Sequence, residues 1–291
     1  MKKFFKHALT ILFIILISSI FLDILYTFII SSSSKRNKVE YVLHTKNKVY
    51  DVVIMGTSRA NNHFVPSIFE EKGYKTFNFG MSGSHLFETN LMLKIMLQQK
   101  FKIKNLLLEA DLSICNEKRD EGTTSRFMPY LHSNPIIKDH FRSEVDFLQL
   151  YYIPFYRYLK FDNKIGFREV NKSFLKERTN LLDNKGYYPL RGTNWKRMNN
   201  NISGLKPMRN RYLDDIKRIC KEHYIQLFLV MTPMCKSTKG MSYFEKINKI
   251  YPEIHNFENA ITDDHYFSSC GHLNNQGATE FTKYILNHLK F

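Results

Sequence analysis

A serine hydroxyl becomes a useful nucleophile only when a base held about 3 Å away takes its proton and donors stand near the charge that develops. The sequence offers one such set. Ser58 lies in Asp51-Val52-Val53-Ile54-Met55-Gly56-Thr57-Ser58-Arg59-Ala60, just past an apolar run that ends on Gly56. His272 lies more than two hundred residues later, in Gly271-His272-Leu273-Asn274-Asn275-Gln276-Gly277. Gly80 and Gly83, in Asn78-Phe79-Gly80-Met81-Ser82-Gly83, are candidates to add backbone N–H donors. Together these residues suit acyl transfer through a serine ester. The plainer alternative is that Ser58 is a turn residue or the N-cap of a helix.

Such chemistry needs a scaffold that brings distant segments to one edge. Residues 51–56 read as a short buried strand, and Ser58 then falls at its carboxyl end, where open α/β sheets hold ligands. The pattern predicts a helix over 66–72, a strand over 75–79, a helix over 85–99 and a strand over 105–109. After an interruption it predicts a helix over 210–222, a strand over 226–231, a helix over 242–250, a short strand over 254–257 and a last helix over 275–289. That alternation predicts a three-layer α/β/α, flavodoxin-like parallel sheet. On it Ser58 and His272 share a rim.

Residues 115–207 break the rhythm with many aromatics and cations, and read as an insertion with helices around 139–150 and 163–182, lying over the carboxyl edge of the sheet. It is either a helical embellishment or a lid or docking surface. Residues 8–30 are an apolar run broken by Thr10, Ser18, Ser19, Asp23 and Thr27. About 23 residues at ~1.5 Å each cover about 34 Å, enough for a bilayer core. An uncleaved anchor is favoured over a removed signal, whose apolar stretch is shorter. Asp23 is costly at membrane depth unless it lies near an interface or faces a partner. Lys2, Lys3 and Lys6 before the span, and Lys35, Arg36 and Lys38 after it, leave orientation undecided by charge. Residues 1–34 therefore read as anchor and linker, and 35–291 as one domain carrying the insertion.

Lys plus Arg total 43 against 27 Asp plus Glu, a net +16, which suits anionic lipid or an acidic polymer, or is simply a solvated basic surface. No zinc-finger or helix-turn-helix pattern supports a nucleic-acid partner. Cys115, Cys220, Cys235 and Cys270 form no CxxC pair. An even number permits disulfides in an exported domain, though spacing does not pair them; the first three read as small buried residues, and Cys270 draws interest through its nearness to His272. The histidines form no HxxxH or HxH pair, so neither a metal nor a cofactor is expected.

The three blocks Gly56-Thr57-Ser58-Arg59, Asn78-Phe79-Gly80-Met81-Ser82-Gly83 and His272-Leu273-Asn274 with Gly277 together resemble the SGNH/GDSL hydrolase superfamily. The resemblance is closest to its membrane-anchored, O-acyltransferase-like branch, of DltD type. It implies Ser58 as nucleophile, His272 as general base, and the N–H groups of Ser58 and Gly83 as part of an oxyanion hole. It also implies a domain outside the cytoplasm, acting on acyl esters of cell-envelope glycan beside a multispanning membrane acyltransferase. Arg59 is expected to clamp a carboxylate such as Asp111, or to be solvated, and Asn78 to tie its turn together. Two departures stand out. The residue three before His272 is Ser269 rather than an aspartate, with Asp263 and Asp264 as nearby substitutes. The third strand leads into Glu109-Ala110-Asp111 with no asparagine to complete the oxyanion donors, leaving Asn116 or the insertion to supply one.

Overall fold

The computed structural model describes residues 1–34 and 36–291; Lys35, one of the flanking charges, lies outside the described residues. After the apolar helix α1 (Lys2–Ser31) and short α2 (Lys38–Leu43), strand β1 (Val49–Met55) starts the central sheet. It is followed by α3 (Ser58–His63), α4 (Pro66–Glu71), β2 (Thr76–Asn78), α5 (Leu86–Gln98) and β3 (Lys102–Glu109). After the interruption come α6 (Arg211–Glu222), β4 (Gln226–Met231), α7 (Ser242–Ile250) and β5 (His255–Asn256). A small antiparallel hairpin, β6 (Phe267–Ser269) and β7 (His272–Leu273), leads into the last helix, α8 (Asn275–His288).

The five main strands are all parallel, in the order β2-β1-β3-β4-β5, the flavodoxin-like winding. Because side chains alternate across a strand, Val52, Ile54, Leu107, Phe228 and Val230 face one way and pack with Phe64, Phe69, Ala278, Phe281 and Ile285 of the α3–α4–α8 layer. Val53, Met55, Leu106, Leu108, Leu229 and Met231 face the other way, onto α2, α5, α6 and α7. With both faces covered, the strands are near-continuous apolar runs. Register aligns Ile54 with Asn78 and Leu107, and Leu107 with Phe228, so the strand ends finish level and open onto one rim.

The insertion differs from its expected form. In place of two long helices it holds short ones, including Pro135–Phe141, Phe147–Tyr152, Tyr156–Lys160, Asp162–Ile165 and Phe167–Phe174. The 163–182 stretch breaks at Gly166, where a Cβ would sit 2.3 Å from the Asp162 carbonyl oxygen. Nor does most of it cover the carboxyl edge. Its helices pack on α1, α2 and α5, while residues 187–202 run along the rim beside the β6–β7 hairpin and Asp120 lies against Gly83.

Those helices grip the far end of α1. The Arg157 guanidinium pairs with Asp23 at 2.7 Å and donates to Thr27 Oγ1 at 3.0 Å. The Phe155 N–H donates to Asp23 Oδ2 at 2.8 Å, and Tyr158 shares a hydrogen bond with Thr27 at 2.7 Å. The carboxylate that was costly in an isolated apolar helix is satisfied by a buried arginine of the insertion.

Candidate active site

Ser58 sits at the first position of α3, directly after the turn that closes β1. Gly56 permits that turn: its φ is +136°, and a Cβ there would lie 2.7 Å from the Glu109 carbonyl oxygen. The helix is capped by Thr57, whose Oγ1 accepts from the Arg59 N–H at 3.1 Å. Ser58 is therefore relieved of the capping role. Its Oγ instead meets His272 Nε2 at 2.8 Å. Beneath the turn, Glu109 Oε2 accepts from the Thr57 N–H at 2.8 Å and from its hydroxyl at 2.7 Å. Burial, and secondarily the neighbouring Asp111 charge, raise the Glu109 pKa.

His272 is delivered by the β6–β7 hairpin, whose chain reverses at Gly271 with φ +87°. Two buried groups fix this hairpin. His63 Nε2 accepts from the Leu273 N–H at 3.1 Å, a structural role for that histidine. Arg59 is buried and paired with Asp111 at 3.1 Å. It donates to the Thr232 carbonyl at 2.6 Å, the Pro233 carbonyl at 3.2 Å and the Gly271 carbonyl at 3.1 Å. Asp111 also accepts from the Thr232 N–H at 2.9 Å. One guanidinium thus ties α3, the exit of β4 and the residue before His272 into a single unit. Cys235 and Cys270 form a disulfide across the same junction, so Cys235 is not the isolated small residue expected from spacing.

Burial, and then the Arg59 charge, lower the His272 pKa to about 4, with Asp111 opposing. The imidazole is therefore neutral at ordinary pH, as a proton acceptor must be. Among the described residues no side chain bonds its Nδ1. Ser269 pairs with His272 along the hairpin backbone but makes no hydrogen bond to the ring. Asp263 bonds the exposed His265 at 2.9 Å, and Asp264 accepts from the Lys236 N–H at 3.2 Å, so neither replaces the missing carboxylate.

Ser58, Arg59, Gly83 and His272 line one cavity of about 210 Å³. Among the described residues the N–H groups of Ser58 and Gly83 donate to nothing, which leaves both free to face an oxyanion. Gly80 does not join them. Its N–H is spent on Asn78 Oδ1 at 2.9 Å, and a Cβ there would sit 2.5 Å from the Asn61 nitrogen, so the glycine serves close packing. Asn78 donates to the Ala60 and Phe64 carbonyls at 2.8 and 3.0 Å and ties α3 to β2. Asn116 stays away, its carbonyl accepting from Asn210 Nδ2 at 2.7 Å.

The cavity also holds residues that sequence patterning missed: His85, Ser113 and Asn200. Ser113 Oγ and His85 Nδ1 are buried with no hydrogen-bond partner among the described residues. Ser113 stands four residues beyond the end of β3, a rim position by topology alone. No periodicity marks Asn200.

No protein-family model matches the chain, and no curated protein matches it. Among solved structures, one described provisionally as a platelet activating factor from Streptococcus pneumonia matches with a TM-score of 0.42 and 9% identity, over 98% of this chain and 99% of that one.

Proposed function

We propose that the protein is a serine-dependent esterase or O-acyltransferase working through an ester on Ser58. The observation that carries this reading is the 2.8 Å approach of Ser58 Oγ to a neutral His272 Nε2, in a cavity with two unengaged backbone donors. Ser58 Oγ attacks an ester carbonyl as Nε2 takes its proton, and the oxyanion faces the N–H groups of Ser58 and Gly83. Collapse expels the alcohol, which carries away the proton from Nε2, and the acyl group stays on Ser58. Water then reverses the steps in a hydrolase, or a sugar hydroxyl in a transferase.

The finer assignment is to acyl groups of cell-envelope glycan, in the manner of the DltD-like branch, with a multispanning acyltransferase as partner. A disulfide persists in oxidising compartments, which supports a domain outside the cytoplasm. Helix α1 has a mean hydropathy of 2.6 over its best window, as a membrane anchor or a signal sequence would. Its bonds to Arg157, Phe155 and Tyr158 support retention as the anchor. A second reading, a weakened family member that binds glycan or scaffolds a membrane enzyme, draws on the absence, among the described residues, of a carboxylate at His272 Nδ1.

Fluorophosphonate labelling of the full chain, with acetyl-ester hydrolysis measured in parallel, tests the proposal. Wild type is expected to label and turn over, while Ser58→Ala does neither. His272→Ala is expected to slow labelling by roughly 10³-fold or more, by analogy with other serine hydrolases. If wild type is as inert as Ser58→Ala, the enzyme reading falls and the binding role takes its place.

A further inference from the structure

A second cavity, of about 430 Å³, lies where α1 ends. Ile30 forms part of its wall, Asn37 at the cap of α2 and Glu40 within it contribute, and the insertion closes most of the remainder. Four cations line it, Arg36, Arg126, Lys164 and Arg168, against the carboxylates of Glu40 and Glu169. Those carboxylates do not neutralise it. Glu169 Oε1 is taken by Arg36, which donates to it from Nε at 2.8 Å and from a second guanidinium nitrogen at 2.6 Å. Glu40 accepts from the Arg36 N–H at 3.1 Å and from Asn37 Nδ2 at 2.9 Å, and burial raises its pKa to about 7.

Arg126 is the unusual member. It is partly buried, and among the described residues it makes no hydrogen bond and no ion pair. Desolvation lowers its pKa despite the distant charges of Asp120, Glu169 and Glu40. A guanidinium that faces a cavity with its donors unspent among the described residues is ready to take an anion. Lys164 and Arg168 stand exposed at the mouth, also without an ion pair among the described residues. Nearby, buried Lys38 donates to Asn61 Oδ1 at 2.7 Å, and burial and then the Arg126 charge lower its pKa well below the usual lysine range. Ser82 supplies a hydroxyl, and the next residue, Gly83, lines the Ser58 cavity, so a single turn separates the two sites.

We propose that this cavity is a binding site for a phosphate group, with Arg126 and Arg168 as its principal ligands. Planar guanidinium donors match the paired oxygens of a phosphate, and the spare positive charge matches its negative charge. The position at the end of an apolar helix about 45 Å long places it where phospholipid headgroups would lie, while free or polymer-borne phosphate presents the same chemistry. The assignment does not rest on the role of Ser58, and its test reads binding rather than turnover.

The test uses the full-length protein in a detergent of neutral headgroup, with three probes: inorganic phosphate, dihexanoyl phosphatidylglycerol, and dihexanoylglycerol, which lacks phosphate. Binding is read by calorimetry and by the shift in melting temperature. Wild type is expected to bind at least one phosphate probe and to ignore dihexanoylglycerol. Arg126→Gln and Arg168→Gln are each expected to weaken that binding about tenfold or more, the loss of a charge-assisted contact. Arg168 is exposed, so its variant reports even where Arg126→Gln folds poorly. Binding of the lipid alone assigns the site to a headgroup, and equal binding of inorganic phosphate assigns it to phosphate free in solution or on a polymer. Failure of both phosphate probes, binding of dihexanoylglycerol as tight as that of its phosphorylated counterpart, or wild-type affinity in Arg168→Gln overturns the proposal.

Discussion

An imidazole largely screened from water beside a guanidinium holds a proton weakly, and half-buried His272 is such a group. Its pKa, lowered to about 4, keeps Nε2 ready to accept far into the acid range. The same shift makes it a feeble base, because proton transfer is most efficient when the catalytic pKa lies near the working pH. In the usual triad a carboxylate at Nδ1 stabilises the imidazolium, and among the described residues none does so here. The pH dependence follows from the sign of the shift. The reactive neutral form persists as pH falls through 6.5 and is lost only as pH approaches the lowered folded value. Ester hydrolysis followed from pH 8 to pH 4 is therefore expected to show a low plateau with its acidic limb well below 6.5. A limb near 7 would mean that the ring is solvated or has acquired an anionic partner.

At the scale of elements, the site depends on three chain segments being pinned together. The end of β1 brings Ser58, the exit of β4 brings Thr232 to Cys235, and the β6–β7 hairpin brings His272. Arg59 links them by hydrogen bonds, and the Cys235–Cys270 disulfide links the latter two covalently. Closing a loop with a sequence separation of 35 residues removes unfolded-chain entropy worth about 3–4 kcal/mol. Replacing both cysteines with serine is thus expected to lower the melting temperature and to slow labelling of Ser58 as the hairpin loosens. Unchanged values for both would mean that Arg59 and His63 alone hold the hairpin.

These elements were unequally legible in sequence. Gln226–Met231 and Ser242–Ile250 matched their patterns to the residue, because apolar period and flanking breakers agreed. The rim positions of Ser58 and His272 followed from the parallel order of the strands. The α3 helix, the β6–β7 hairpin and the disulfide did not. Strands of two or three residues carry no period, and a bridge between distant cysteines depends on tertiary proximity. Glu109 was visible only as a charge ending an apolar run, and its bond to Thr57 belongs to the fold.

For the whole molecule, the decisive joint is between α1 and the insertion. Arg157 is almost wholly enclosed, with a side chain 1% exposed, and Asp23 is its only carboxylate partner among the described residues. Removing one member of such a pair leaves an unpaired buried charge, at a cost of about 3–5 kcal/mol. Asp23→Ala is expected to loosen the insertion around residues 151–174, seen as faster proteolysis there in detergent, while the parallel sheet stays protected. Equal proteolysis rates in Asp23→Ala and wild type would show that the aromatic packing of Tyr26 on Phe155 and Tyr158 suffices.

On the proposed acyl-transfer reading, that joint also governs how the Ser58 cavity reaches its substrate. A catalytic domain on a slack polar leash sweeps a hemisphere whose radius grows with the square root of tether length. Here helix and domain share buried polar bonds, so the anchored reading gives the Ser58 cavity one altitude and one compass bearing. Acceptors at that height meet it as neighbours in a plane, and those above it are out of range however abundant they are. On that anchored reading reach is set by the stature of a rigid mast, and lengthening the serine-rich segment after α1 would leave it unchanged.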